Sequence, residues 1–207
     1  MARPRQFDEE RALDAAMRAF WEYGYEATST QDLCAATGLG RSSIYNTFSS
    51  KRELFSRSLA RYLDAMADAQ DAVLEDATRP PVERVRALFD KIVADEFENR
   101  PGGRSLGCLG VNSTVELAAR DPEAARLLDR DAARRLRTLS AVIAAGQRDG
   151  SIAATRGPDA LARYVNAIIG GMRVTAQGGA GRAAVQAVAD TAMDALTRRR
   201  PPAPPAV

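Results

Sequence analysis

The 207-residue chain contains no histidine. That absence removes Ser-His-Asp and Cys-His catalysis, most transition-metal sites and the usual general base near neutral pH. Cysteine is scarce as well, with Cys34 and Cys108 the only two. Two thiols build no disulfide framework and, without histidine, complete no tetrahedral zinc site. No metal and no cofactor is therefore expected. Aromatic residues make up only 6% of the chain. No apolar run approaches the length of a membrane span, and the polar start, Met1 to Glu10, does not read as a signal peptide. The expectation is a cytoplasmic protein with no membrane partner. No P-loop occurs, and no GxGxxG follows a strand-like run. The usual enzyme toolkit is missing, and an enzyme is not expected.

Charge of one sign is also lacking. The formal net charge is +2, and across residues 1–61 nine Arg or Lys stand against eight Asp or Glu. A nucleic-acid surface must then come from arrangement, because bulk charge does not supply it. Hydrophobic residues at 45% and charged residues at 27% are ordinary for a soluble globular protein.

What is present is helical periodicity, almost everywhere, with strand-like alternation nearly absent. Leu13, Ala16, Met17, Phe20 and Trp21 share one helix face, which Gly24 ends. A short helix is predicted over 31–37 with Thr30 as N-cap, then a turn at Gly38-Leu39-Gly40, then a second short helix over 41–47. Ser50 caps a longer helix with the stripe Leu54, Phe55, Leu59, Tyr62, Leu63 and Met66. Further helices carry Val85, Leu88, Phe89, Ile92 and Val93, and, after Asp121-Pro122, Leu128, Ala132, Leu136, Leu139 and Ile143. Residues 106–119 read as helical in part. Gly157-Pro158-Asp159 starts a helix with Leu161, Tyr164, Val165, Ile168, Ile169 and Met172; a glycine break over 178–181 precedes the last one, with Val185, Val188, Ala192 and Leu196.

Two short helices joined by a glycine-containing turn are the sequence form of a helix-turn-helix. Leu33 and Leu39 must be buried to fix the helix angle, while Ile44 and Phe48, four apart, pack the second helix on the first. The outward face is then Arg41, Ser42, Ser43, Tyr45, Asn46 and Thr47. It offers hydroxyls, an amide, a phenol and a guanidinium but no carboxylate, so it can bond base edges and phosphates without repelling the backbone. Lys51, at the start of the next helix, is placed to clamp a phosphate with the free N–H groups there, and Thr30 can do the same for the first short helix. Double-stranded DNA is the partner this pattern points to. The Arg3-Pro4-Arg5 arm reads as a frayed, solvated terminus rather than a minor-groove probe.

The run Gly24-Tyr25-Glu26-Ala27-Thr28-Ser29-Thr30, then Asp32 to Leu39, then Ile44-Tyr45-Asn46-Thr47-Phe48-Ser49-Ser50-Lys51 with Leu54-Phe55, resembles the TetR family of bacterial transcriptional regulators. The resemblance implies an all-α fold, with a three-helix helix-turn-helix DNA-binding domain (residues 1–50) before a larger helical ligand-binding and dimerisation domain (51–199). From composition alone, residues 200–207 are expected to be a disordered proline-rich tail. The resemblance further implies a homodimer on a palindromic operator, usually a repressor released by a small-molecule effector. The last two helices would meet a partner as a four-helix bundle. The pocket would be lined by Phe89, Ile92, Leu109, Val115, Leu128 and Tyr164, with Cys108 beside them. Gly40 stands where many members cap with serine or threonine, Ser42 where glycine is common, and Asn46-Thr47 where an aromatic-histidine pair is frequent. These departures leave the operator sequence undetermined.

Two segments carry more than one reading. Ser105 to Asn112 resembles the Gly-Cys-Leu segment of one subgroup of these regulators, some of which sense electrophiles or oxidants. Cys108 is accordingly either a sensor thiol, which needs nearby positive charge or a helix N-terminus, or a packing residue, the reading preferred here. The stripe Leu161, Val165, Ile168, Ile169 and Met172 is core, pocket or dimer interface. With Val185, Val188, Ala192 and Leu196 it is assigned to the interface, because two apolar helices at a chain end need a cover. Rival readings are a helical sensor without a DNA role and a helical enzyme using Glu116 with Asp121.

Overall fold

The structure, a computed structural model, describes residues 3–98, 103 and 105–197, with side chains from residue 9 onward. Among these residues the chain forms nine α-helices and no strand: α1 (Arg3–Tyr23), α2 (Thr30–Thr37), α3 (Arg41–Phe48), α4 (Lys51–Leu74), α5 (Pro81–Glu98), α6 (Leu109–Leu117), α7 (Pro122–Asp149), α8 (Pro158–Gln177) and α9 (Arg182–Thr197). The all-helical expectation is met. The backbone is helical from Arg3, where a frayed arm was expected. The side chains of that arm, Arg198–Arg200 and the 200–207 tail lie outside what is described. No helix among the described residues is long and apolar enough to cross a membrane.

Cap chemistry sets the helix boundaries. Ser50 Oγ accepts the Glu53 N–H at 3.0 Å at the start of α4. Asp121 Oδ1 accepts the N–H groups of Glu123 (2.9 Å) and Ala124 (3.1 Å) ahead of Pro122, the first residue of α7. Gly157 precedes Pro158 at the start of α8. Proline is tolerated at a first helical position because that N–H has no intrahelical partner anyway.

The chain divides into two compact units, Met1–Ala67 with Leu106–Ala132, and Asp68–Ser105 with Ala133–Val207. The first is built around Leu13, Ala16, Phe20, Leu33, Ile44, Phe48, Leu54, Phe55 and Leu59, all buried, with Leu109, Leu127 and Leu128 from α6 and α7. Ion pairs edge this core: Arg57 with Glu9, Arg61 with Asp14 (2.6 Å) and Arg52 with Asp121 (2.8 Å). The second is built around Val85, Leu88, Phe89, Ile92, Val93, Ile143, Val165, Met172, Val185 and Leu196. Inside it Glu96 accepts from Arg173 Nη1 at 3.1 Å and from the Ser105 hydroxyl at 2.5 Å, all three residues being buried.

Candidate nucleic-acid interface

The first three helices position a short polar face. Ser29, not Thr30, caps α2: its Oγ accepts the Asp32 N–H at 3.2 Å, and Asp32 Oδ2 accepts the Ser29 N–H at 2.8 Å. The reciprocal pair is a capping box with aspartate in place of glutamate, and the Ser29-x-x-Asp32 spacing is the sequence signal that identifies it. The Ser29 hydroxyl and then its N–H hold the Asp32 carboxyl below the usual carboxylate range, with Lys51 adding a smaller pull. Gly38 ends α2 at φ 70°, a left-handed conformation that glycine adopts without steric cost. Thr37 Oγ1 donates to the Leu33 carbonyl and accepts the Leu39 N–H, which fixes the turn. Leu33, Ile44 and Phe48 are buried and Leu39 is half-buried, as the packing argument requires.

Helix α3 then presents its outer side. Arg41, Ser42, Ser43 and Asn46 are exposed, while Tyr45 and Thr47 are half-buried. Gly40 caps α3 without a side-chain bond, so no side chain covers the first N–H groups of this helix. Tyr45 is held at two points. Its hydroxyl lies 3.0 Å from Thr30 Oγ1, and the Arg41 guanidinium sits 5.7 Å from its ring centroid. Thr30 is thus the first residue of α2 and a partner of Tyr45. Lys51 opens α4, with its ammonium 4.5 Å from the Tyr25 ring. Burial first, then the Glu26 and Asp121 carboxylates, push the Tyr25 phenol above its ordinary value, so the ring stays neutral beneath that ammonium. Thr30, Arg41, Ser42, Ser43, Tyr45, Asn46, Thr47 and Lys51 therefore all belong to one compact unit, and Tyr25 joins them from the α1–α2 loop. Tyr25 stands in the run that resembles the TetR family, but no local spacing assigns it a role in this face.

The remaining expected residues fall in both units. Phe89 and Ile92 are core of the second unit; Leu109 and Leu128 are core of the first, against which Cys108 packs half-buried. Val115 is 86% exposed and Tyr164 is 36% exposed, so neither is enclosed as a pocket lining requires. Leu161, Val165, Ile169, Met172, Val185, Ala192 and Leu196 lie in the second unit's own core, with Ile168 and Val188 half-buried against it. Helical periodicity located the buried face of α8 and α9 correctly, but that face is occupied within the chain, and the surface these helices offer is a different one. The Glu116–Asp121 pair is also absorbed into structure. Glu116 accepts the N–H groups of Tyr25 and Glu26, and Asp121 caps α7 and binds Arg52. Among the described residues no group of three His, Cys, Asp or Glu is placed to hold a metal ion.

A buried two-helix angle, a glycine turn and a carboxylate-free outer face on the second helix define a helix-turn-helix DNA-binding protein. Residues 12–57 match the family model described as bacterial regulatory proteins, tetR family, and residues 81–192 match that of the tetracyclin repressor-like C-terminal domain. The chain belongs to the TetR family of transcriptional regulators. It is 34% identical over 191 residues to the HTH-type transcriptional repressor ComR of Escherichia coli strain K12, covering 92% of this chain and 90% of ComR. A cysteine-substituted form of the regulator CifR, solved with a 26-base-pair double-strand operator, is similar at TM-score 0.78 and 27% identity, covering 90% of this chain and 95% of CifR. A TetR family regulator from Agrobacterium tumefaciens shares the fold at TM-score 0.83 and 21% identity, over 93% and 99% of the two chains.

Proposed function

We propose that the protein is a ligand-responsive repressor that binds a palindromic operator as a homodimer and is released by a small-molecule effector. The observation that carries the reading is the outer face of α3. Arg41, Ser42, Ser43 and Asn46 are exposed there with no carboxylate among them, beside the uncovered first turn of α3 and the Lys51 ammonium. In this reading Ser42, Ser43, Asn46 and Thr47 meet base edges, and Thr30, Arg41, Tyr45 and Lys51 meet phosphates. Residues 1–50, joined by Lys51 at the start of α4, act as the DNA-binding head, and the rest of residues 51–199 as the effector-binding and dimerising body. Relatives named as repressors, ComR and the Mycobacterium sp. regulator DhaR, support repression over activation.

The dimer reading rests on the outward sides of α8 and α9. Ala160, Tyr164, Ala167, Gly171 and Val174 follow one another on α8 at helical spacing and are exposed, as are Ala184, Ala187, Thr191 and Ala195 on α9. A side chain added at Gly170 or Gly171 would meet nothing within 4 Å. The glycine pair therefore serves no close approach inside the chain, and a partner's helix is the approach it permits. Two α3 helices reach successive major grooves only when a dimer holds them about 34–36 Å apart. An effector that prefers another separation lowers DNA affinity by its differential binding to the two states.

Selection of bound fragments from random-sequence duplexes, followed by light scattering of the complex, tests the proposal. The expected result is one enriched, two-fold symmetric site bound by two protomers. Enrichment of no sequence, or binding of one protomer to an asymmetric site, would overturn it. The packing of Cys108 against the first core favours its structural role, and Cys108→Ser is expected to leave ligand-free DNA binding unchanged.

A further inference from the structure

The loop between α1 and α2 is tied to a side chain far away in the sequence. Glu116, on α6, accepts the Tyr25 N–H on Oε2 at 3.0 Å and the Glu26 N–H on Oε1 at 2.8 Å. Gly24 makes this approach possible. Its φ is +82°, and a Cβ there would lie 3.1 Å from Glu116 Oε2. The loop closes on itself through the buried Thr28, whose hydroxyl donates to the Gly24 carbonyl at 2.6 Å. The Tyr25 ring stands 4.9 Å from the Phe55 ring and 6.2 Å from that of Phe20. On this ring rests the Lys51 ammonium, 4.5 Å from its centroid. Contacts thus run without a gap from the Glu116 carboxylate to the Tyr25 backbone, and from the Tyr25 ring to Lys51 Nζ.

We propose that Glu116 is a positioning residue for DNA binding: by clamping the Tyr25 backbone it fixes the aromatic seat that holds the Lys51 ammonium for a phosphate. The proposal rests on the reading of Lys51 as a phosphate contact. Lysine is a point charge on a flexible stem, and ordering that stem opposes binding. An ammonium already resting on a fixed ring face loses less freedom when a phosphate arrives. The two backbone N–H groups engage both Glu116 oxygens, and a glutamine offers only one acceptor oxygen to the same pair.

The test uses full-length protein and the duplex selected by the wild type, with anisotropy titrations over a salt series. The variants are Lys51→Ala, Glu116→Gln, Glu116→Ala and each Glu116 change combined with Lys51→Ala. Lys51→Ala is expected to lower affinity on the order of tenfold and to make the salt slope shallower by about one per protomer. Glu116→Ala is expected to weaken binding severalfold with a shift of slope in the same direction, Glu116→Gln less so, and neither to add a loss in the Lys51→Ala background. Amide exchange at Tyr25 and Glu26 should quicken in both Glu116 variants without DNA present. Glu116→Gln carries the comparison alone if Glu116→Ala fails to fold. Unchanged affinity in the Glu116 variants, or losses that add to that of Lys51→Ala, would overturn the proposal. An unchanged slope in Lys51→Ala would remove the phosphate contact on which it rests, whereas failure to select any duplex would remove the DNA-binding reading itself.

Discussion

Ser49, between α3 and α4, has φ 62° and ψ −42°, and the Ser50 N–H donates to the Phe48 carbonyl at 2.6 Å across it. This is a γ-turn of the positive-φ kind, strained for any residue with a Cβ. The reversal is what sets Lys51 directly behind the recognition helix. Ser49→Gly is expected to stabilise the protein by about 1 kcal/mol, strain relief outweighing the added freedom of the unfolded chain. Urea unfolding at equilibrium checks this, with unchanged DNA affinity as the companion result. In the second unit, Glu96 and Arg173 form a nearly fully buried ion pair. Glu96→Ala leaves the guanidinium buried without this carboxylate and is expected to cost about 3–5 kcal/mol in the same assay. At this scale the sequence was readable where chemistry is local. Tyr45 and Lys51 follow from the spacing of Ile44 and Phe48, whereas Tyr25 and Glu116 meet only through tertiary packing and leave no local pattern.

At the scale of elements, the caps explain most of what was legible. Gly24, Ser50, Asp121-Pro122 and Gly157-Pro158 each mark a boundary that the chain adopts, since a helix end must satisfy its free N–H or carbonyl groups. The α2 start was misplaced by one residue because Ser29 and Thr30 are both good caps, and only Ser29 reciprocates with Asp32. Three carboxyls of this kind lie below their ordinary value: Asp32 through Ser29, Asp76 through Thr78 and Asp149 through Ser151, with the hydroxyl bond the largest cause in each. A carboxyl with a lowered folded value stabilises the fold fully above the unfolded value and loses that contribution as pH falls through the folded one. These elements are therefore expected to add a constant stability above about pH 4 and a declining one below it. Thermal melts followed by circular dichroism across that range check the direction, and Asp32→Asn should flatten part of the decline. The interface stripe was misread for a different reason. Core and interface residues share the same helical spacing, so periodicity finds an apolar face without saying whether the same chain covers it.

For the whole molecule, the family and the all-helical plan were readable because a fifty-residue motif constrains hydrophobic, glycine and aromatic positions together. Effector and operator were not, since both depend on surfaces assembled from distant segments. The assembly has a direct test in Val174, which is 53% exposed on the outer side of α8. Val174→Arg places a charge where a partner helix would pack but disturbs no core, so it is expected to leave the melting temperature of the protomer fold little changed and convert dimer to monomer. Light scattering distinguishes the two, and an unchanged dimer would place the interface elsewhere. Whether the α3 face reads DNA sequence is measured by the anisotropy of the selected duplex against a scrambled one. The comparison is made over a salt series, for the wild type and for Ser42→Ala, Ser43→Ala and Asn46→Ala combined. Wild-type affinity is expected to fall steeply, by orders of magnitude between about 50 and 200 mM salt. The triple variant is expected to keep that slope but lose its preference for the selected duplex. A triple variant that prefers the selected duplex as strongly as the wild type would mean that the α3 face does not read the sequence.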